Sequence, residues 1–327
     1  MQVLTVILNY RTPDLTLKAA AAARRAMQGI DGEIVVVDNA SGDGSFRHMS
    51  TEAEARGWTA DGRLRVVQSG RNGGFGAGNN FGMAAGMHGG KRPDFVYILN
   101  SDAAPAPGAI RALLDHMAAH PDTGIAGSYI HGPAGDWHCT CFRFPSIASE
   151  FEGAARIGAI SRLLGATVPL PMPTAPVTPV DWLAGASAML RQDMLDRIGG
   201  FDERFFLYFE ETDLCRRARG AGWGVDYVRA SKVAHVGSAS TGMKTWRRVP
   251  GYWFASRQRY FVKSHGRAYA AAATLARVAG TLLWRVKRVL TGHRRVDPPF
   301  FLRDLVAHGL RSLRPRRTAA PWHRRQA

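Results

Sequence analysis

Cysteine is scarce in this sequence. The 327 residues include three, Cys139, Cys141 and Cys215. An odd, sparse set argues against a disulfide framework and for a reducing cytosol. No C-x-x-C or Cys/His grouping has zinc-site spacing. Long apolar runs are missing too, so no spanning helix is expected. The start, MQVLTVILNYRTPD, lacks a basic leading region and has Asn9 and Arg11 early, so it is not read as a signal peptide. Acidic residues are scarce in one region only. Residues 244–327 carry 20 Lys/Arg against 2 Asp/Glu, whereas the first 243 residues carry 23 against 24. The net charge of +17 therefore resides in the last quarter of the chain. Such a segment seeks a polyanion, either an anionic membrane face or a nucleic acid.

What is present reads as a globular α/β chain. At 46% hydrophobic and 21% charged it is not disordered, and its length buries a core easily. QVLTVILNY, GEIVVVDNAS, RLRVVQSG, FVYILNSDA and GIAGSYI are short apolar runs that predict strands. Leu15–Met27, the later part of Gly73–Gly90 and Ile110–His120 predict helices, the first capped by Thr12 or Asp14. Strands alternating with helices imply a mostly parallel sheet flanked by helices. Ligands on such sheets sit at the carboxyl ends of the strands, where Asn9, Asp38 and Asn100-Ser101-Asp102 fall. Ala166–Val180 holds five prolines in 15 residues and predicts a loop. DWLAGASAMLRQD then predicts a strand. The arginine-rich run to Arg219, halted by Gly220 and Gly222, predicts a helix that starts near Glu211.

Five stretches carry candidate chemistry. Asp38 in VVVDNAS can accept hydrogen bonds from a nucleobase or ribose, or it can simply form a turn. RNGGFGAGNNFG has five glycines, which let backbone N–H groups approach a phosphate or sugar. It matches neither the dinucleotide-binding fingerprint nor the phosphate-binding loop ending in G-K-[ST], and a structural loop is the plain alternative. Asp102 in LNSDAAP can hold a hard divalent cation, or cap a helix. His235 in KVAHVGSAST can complete that metal site, or be structural. FLYFEETDLCRR crowds Glu210, Glu211 and Asp213 beside Phe206, Tyr208 and Phe209. Helix-start acids with arginine partners one turn on explain Asp213. They explain Glu210 and Glu211 less well, because desolvation and like charge raise a carboxylate's pKa, which suits a general base.

Taken together, VILNYRTPD, VVVDNASGDGS, YILNSDAAP and WLAGASAML with GGFDERFFLYFEETDLCRR resemble the family 2 glycosyltransferases, enzymes of the GT-A fold, over about residues 3–265. RNGGFGAGNNFG and SRQRYFVKSHG bring the resemblance nearest to the bacterial rhamnosyltransferase subgroup. The resemblance implies a catalytic domain over residues 1–243. Its nucleotide-binding half is about 1–130 and its acceptor half about 131–243, followed by a basic helical extension at 244–327. It places Asn9, Tyr10 and Arg11 along the nucleotide, Asp38 on base or ribose, and Asn72, Gly73, Gly74 and Asn79 around the sugar nucleotide. Asn100-Ser101-Asp102 occupies the family's D-x-D position, with Asn in place of the first Asp. Asp102 and His235 would hold Mg²⁺ or Mn²⁺. Glu211 matches the family's catalytic base, here in a Glu-Glu pair where Glu-Asp or Asp-Asp is more usual. Trp182 and Gly185 would shape the floor beneath the reacting sugar, and Glu210 or Asp213 would hold acceptor hydroxyls. The implied reaction is an inverting transfer from a dTDP- or UDP-linked sugar to a glycan or polyprenyl-diphosphate-linked glycan, at the cytoplasmic membrane face.

Within enzymes the alternative is another donor, such as a UDP-hexose; a sugar-binding relative without activity would not need Asp102, Glu211 and His235. From a different class, the arginine-rich tail admits a nucleic-acid-binding protein. No nucleic-acid motif accompanies it, and Thr274–Leu290 has a lipid-type pattern instead. Leu275, Val278, Leu282, Val286 and Val289 share one arc of a helix, and Arg277, Thr281, Arg285 and Arg288 the opposite one. That helix, with Trp284, is expected to rest on anionic lipid or else to pack its apolar arc on the catalytic domain.

Overall fold

The computed structural model describes residues 1–237, 246–292 and 297–313. The end of the basic extension, 314–327, lies outside the described residues. The first half of the chain runs β1 (Gln2–Asn9), α1 (Pro13–Ala26), β2 (Asp31–Asp38), α2 (Ser45–Ala55), β3 (Leu64–Gln68), α3 (Phe75–Ala85), β4 (Phe95–Asn100), β5 (Ala103–Pro105), α4 (Ala109–Ala119) and β6 (Thr123–His131). There follow β7 (Cys141–Phe142), α5 (Ile147–Ala155), α6 (Gly158–Leu164), β8 (Val177–Pro179), β9 (Trp182–Leu183), β10 (Ser187–Arg191), α7 (Gln192–Ile198), α8 (Glu210–Gly220) and β11 (Gly224–His235). Three helices close the described chain: α9 (Gly251–His265), α10 (Arg267–Thr291) and α11 (Phe301–Leu313).

The strands join in the order β3-β2-β1-β4-β10-β6-β11-β5, with β8 also on β11. Both faces are covered, which the β1 sequence requires. Val3 and Ile7 enter a core with Leu17, Met49 and Leu113, while Leu4 and Val6 enter a second core with Met194, Phe201 and Leu214. Alternate side chains of a strand point to opposite faces, so a near-continuous apolar run demands two apolar layers. The sheet is mixed rather than simply parallel. β1, β2, β3 and β4 are parallel neighbours, but β10 runs antiparallel to both β4 and β6. Apolar periodicity carries no strand direction, so the sequence pattern could not supply this.

Two local expectations change. DWLAGASAML is not one strand: β9 pairs with β7 in a separate ribbon, and β10 joins the main sheet. The break falls at Ala184-Gly185-Ala186. At α1, Thr12 occupies the cap position without a capping bond, and Pro13 opens the helix. The Thr12 hydroxyl instead donates to Ser101 Oγ at 3.2 Å.

α10 packs across α5 by its small and polar side. A Cβ on Gly280 would lie 2.5 Å from the Phe151 carbonyl oxygen, so only glycine permits this approach. Ala270, Ala273, Thr274, Thr281 and Trp284 are buried on the same side. The alternative in which the apolar arc packs on the catalytic domain is thus reversed. A buried charge cluster completes the joint. Glu150 on α5 meets Arg257 of α9 at 2.9 Å and Arg277 of α10 at 3.2 Å. Burial opposes the charge, but the two guanidinium groups outweigh it and hold the Glu150 carboxyl below its ordinary range. Glu150→Ala strands Arg257, which is 1% exposed, without its anion. Removing one member of such a cluster costs about 3–5 kcal/mol, which a lowered urea midpoint at unchanged slope would report; an unchanged midpoint would show that the cluster contributes nothing net.

Candidate active site

The parallel register sets the site. Asn9 stands opposite Asp38, and Leu8 opposite Asn100, so three strands end on one line. Asn9 and Asp38 are buried and bonded to each other, Asn9 Nδ2 donating to Asp38 Oδ1 at 2.9 Å. Ser41 Oγ donates to the same oxygen at 2.5 Å, and Asn9 Oδ1 accepts from Thr16 Oγ1 at 2.8 Å. Asn9 is therefore a strut beneath the site. Asp38 borders a cavity of about 410 Å³ with Gly44, Arg47 and Gln68. Arg11 lies exposed with its Nε donating to the Ser41 carbonyl oxygen, and its guanidinium lies over the Tyr10 ring.

β5 pairs antiparallel with β11, which puts His235 opposite Ala103. The neighbouring Asp102 Oδ1 lies 3.0 Å from His235 Nε2, and Asp102 Oδ2 accepts from the Gly237 N–H at 3.1 Å. A carboxylate and an imidazole converging in a cavity wall suit Mg²⁺ or Mn²⁺, which take remaining ligands from phosphate and water. Among the described residues no group of three or more His, Cys, Asp or Glu could hold a metal ion by itself. The donor set fits a cation shared with a diphosphate.

FLYFEETDLCRR is the most constrained segment. Tyr208 and Phe209 both have φ of 69°, so two consecutive bulky residues stand in the left-handed region. Each costs on the order of 1–3 kcal/mol and persists only where the surroundings enforce it. The enforcement is visible on both sides. The Phe206 carbonyl oxygen accepts from Phe75 N–H at 3.1 Å and lies where a Cβ on Gly74 would be, 1.7 Å away. Gly74 at φ 89° is thereby doubly required. On the other side Lys263 of α9 holds Asp202 at 2.9 Å and Asp213 at 2.6 Å, the acids that bracket the turn. Burial works against the charge of Asp202, yet Arg204, Arg259 and Lys263 hold its carboxyl far below the usual range.

Glu210 and Glu211 follow this turn as the first residues of α8. Glu210 is buried, and desolvation, with the Glu211 charge beside it, pushes its carboxyl well above the ordinary value. Glu211 is raised as well, chiefly by burial, against hydrogen bonds from its own N–H and that of Gly185. The Gly185 N–H donates to Glu211 Oε1 at 3.3 Å, and a Cβ there would lie 3.0 Å from Glu211 Cγ. The break between β9 and β10 thus exists where Glu211 needs room. Trp182 stacks on Phe142 at 4.1 Å between ring centroids and bounds the same space.

Two cavities meet at Glu211. The smaller, about 370 Å³, is lined by Tyr10, Asn72, Gly74, Ser101, Glu210 and Tyr252 among others. The larger, about 940 Å³, reaches Trp137, Thr140, Trp182, Gly185 and His235, and extends to Trp253 and Arg277 of the helical extension. Asn100, Asp102, Tyr208 and Glu211 line both and form the partition. Several expected residues stand elsewhere. Asp213 is bound to Lys263 and to Arg217, 2.8 Å away, and borders neither cavity. Glu210 faces the smaller cavity rather than the larger one. Asn79 is buried, its Nδ2 donating to the Phe75 carbonyl oxygen at 3.0 Å. Gly73 packs toward Ala77 and Arg71. Gly78 is likewise spent on close approach, with Leu8 Cδ1 where its Cβ would be, 2.4 Å away. Trp253 and Arg277 were missed as lining residues because long-range packing of the extension brings them here, whereas Tyr208 was noted only as an aromatic crowding the acids.

Known proteins are similar to this chain in sequence and in fold. Residues 5–155 match the model of "Glycosyl transferase family 2" and residues 95–296 that of "Glycosyl transferase family group 2". The chain is 31% identical over 226 residues to the N-acetylglucosaminyl-diphospho-decaprenol L-rhamnosyltransferase of Mycobacterium tuberculosis, covering 64% of this chain and 68% of the relative. Its fold is similar to that of GalNAc-T7 solved with UDP, GalNAc and Mn²⁺, at a TM-score of 0.56 and 12% identity, over 94% of this chain and 54% of that one. A mannosyltransferase from Pyrobaculum calidifontis, in complex with GDP-Man and Mn²⁺, superposes at 0.52 with 16% identity, over 95% of this chain and 86% of its own. With the strand-end acids, the paired glutamates and a family match over most of its length, the chain belongs to glycosyl transferase family 2 and is a glycosyltransferase of the GT-A fold.

Proposed function

We propose that this enzyme transfers a sugar with inversion from a nucleoside diphosphate, dTDP-rhamnose foremost, to a hydroxyl of a glycan carried on a polyprenyl diphosphate. One observation carries this reading: Glu211 stands in the partition between two cavities, within the wall that also holds Asp102. The donor nucleotide occupies the smaller cavity along Tyr10, Asn72 and Ser101, and the acceptor glycan the larger one. The mycobacterial relative, whose name specifies a diphospho-decaprenol acceptor and rhamnose, supports that choice. The UDP in the GalNAc-T7 structure keeps a UDP-hexose as the second donor to try.

Asp102 and His235 would hold Mg²⁺ or Mn²⁺, which supplies charge neutralisation at the departing diphosphate. The residues of the chain do the remaining work. Burial raises both carboxyls, Glu210 with the Glu211 charge beside it, and Glu211 is the one of the two that borders the larger cavity as well as the smaller. The Gly185 N–H and the N-terminus of α8 orient that carboxylate. The acceptor oxygen forms its bond to the anomeric carbon while the bond from that carbon to the diphosphate oxygen breaks on the opposite face. The bonding electrons leave with the nucleoside diphosphate, and the hydroxyl proton passes to Glu211. The enzyme would act from the cytoplasmic side of the membrane, in surface-polysaccharide synthesis. Among the described residues no helix is long and apolar enough to cross a membrane.

A donor screen read by nucleotide release with Mg²⁺ or Mn²⁺, dTDP-rhamnose first, tests the substrate assignment; turnover of UDP-hexoses alone would replace it. Glu211→Gln is expected to lower kcat by roughly 10²–10⁴ with donor affinity unchanged, and normal turnover would remove the base from Glu211. Asp102→Ala is expected to abolish the EDTA-sensitive part of nucleotide affinity in calorimetric titrations; equal affinities would end the metal role. A general base must be ionised to work. The acid limb of the kcat/KM profile should therefore lie above the ordinary glutamate value of 4.5, with activity rising as pH rises through it. A limb at or below that value would contradict a buried base.

A further inference from the structure

α10 presents the wrong face to water for a helix of a soluble protein. Its inner side is small and polar, as described, and its outer side is apolar. Leu275 is 68% exposed, Leu282 49%, Val286 57%, Val289 76% and Leu290 79%. At 100° per residue these five lie within one arc along roughly four turns of the helix. The helix has 25 residues and not one Asp or Glu. Arg285 is exposed at the border of the arc. Exposed apolar side chains occur elsewhere too, Leu163 and Leu310 among them, but a contiguous stripe of five on one helix face marks a surface that something covers.

Three occupants can be compared. The remaining residues of the chain are poorly suited: 314–327 hold five arginines and a single large apolar residue, Trp322. A second copy would bring the same basic segment, 20 Lys/Arg against 2 Asp/Glu over residues 244–327, against its like. An anionic lipid surface complements both features, since acyl chains receive the stripe and phosphate headgroups meet the arginines. We propose that the outer face of α10, centred on Leu282 and Val286, is the surface by which this enzyme lies on an anionic bilayer.

The orientation has a consequence for the site. Arg277 on the inner side of α10 lines the larger cavity. That cavity is then separated from the bilayer by the thickness of one helix, about 10 Å, close enough for a lipid-linked acceptor to reach Glu211 without leaving the membrane. This part rests on the acceptor class proposed above, whereas the docking face does not.

The test is vesicle flotation of the full chain, with the double variant Leu282→Glu/Val286→Glu as comparison. Both side chains already face water, so the variant should keep its thermal transition, measured by circular dichroism. The wild type is expected to float with phosphatidylglycerol–phosphatidylcholine vesicles and poorly with phosphatidylcholine alone, and the variant to lose about tenfold in partition. Equal flotation of variant and wild type would overturn the α10 face while leaving membrane association standing. A wild type that floats with neither vesicle would overturn both. A wild-type dimer in sedimentation equilibrium that the substitutions dissociate would assign the stripe to a second copy and overturn the lipid assignment.

Discussion

Two adjacent glutamates are held away from bulk water at the start of α8, and the rest of the site is arranged around keeping them there. Neither placement is cheap. The preceding pair, Tyr208 and Phe209, takes a backbone conformation that bulky residues avoid, and the carboxyl groups lose hydration. Lys263 secures the arrangement by binding Asp202 and Asp213, one acid on each side of the turn. Gly74 accepts the turn from one direction and Gly185 receives the Glu211 side chain from another. The helix start offers N–H groups that partly offset the desolvation. Burial still raises both carboxyls, and Glu210 is the more deeply buried of the two.

The helical extension looks dispensable as sequence, a basic segment after a complete α/β domain. In the structure it lines the larger cavity of the candidate site. α9 supplies Lys263 and Arg259 to the acids around the Tyr208-Phe209 turn, and Trp253 to the larger cavity. α10 supplies Arg277 to the same cavity and to the buried Glu150. The arginine excess is thus divided between two tasks. Arg257 and Arg277 hold the extension to the body through the buried Glu150, and Arg285 is exposed beside the outward apolar stripe. One helix, α10, thus carries both the buried joint to α5 and part of the lining of the larger cavity.

Much of this was legible in the sequence, for physical reasons that differ by region. β1, β2, β4 and β6 were legible because strands buried on both faces are near-continuous apolar runs, and the half-buried edge strand β3 because its Val66-Val67 pair stands between turn residues. The strand-end row of Asn9, Asp38, Asn100 and Asp102 followed from their order. Glu211 was legible as the acid that capping does not explain. The antiparallel insertion of β10 was not, since direction leaves no periodic trace. Asp213 was expected near the acceptor because it is close to Glu211 in sequence; on a helix a two-residue step turns a side chain by about 200°, and it faces α9. The glycines of RNGGFGAGNNFG were expected to approach a ligand; Gly74 does line the smaller cavity but is also required by the Phe206 carbonyl, and Gly78 admits Leu8 instead. The apolar arc of α10 was correctly drawn, but which side it presents depends on Gly280 meeting α5, a contact between residues far apart in the chain.

The central claim is a single in-line displacement assisted by Glu211, and stereochemistry tests it most directly. The measurement is the anomeric configuration of the first product formed from the donor that turns over, read from the NMR coupling at the anomeric centre. The account predicts a configuration opposite to that of the donor sugar. Retention would contradict it, because retention requires a nucleophile or a contact leaving-group route that the paired glutamates were not assigned to provide.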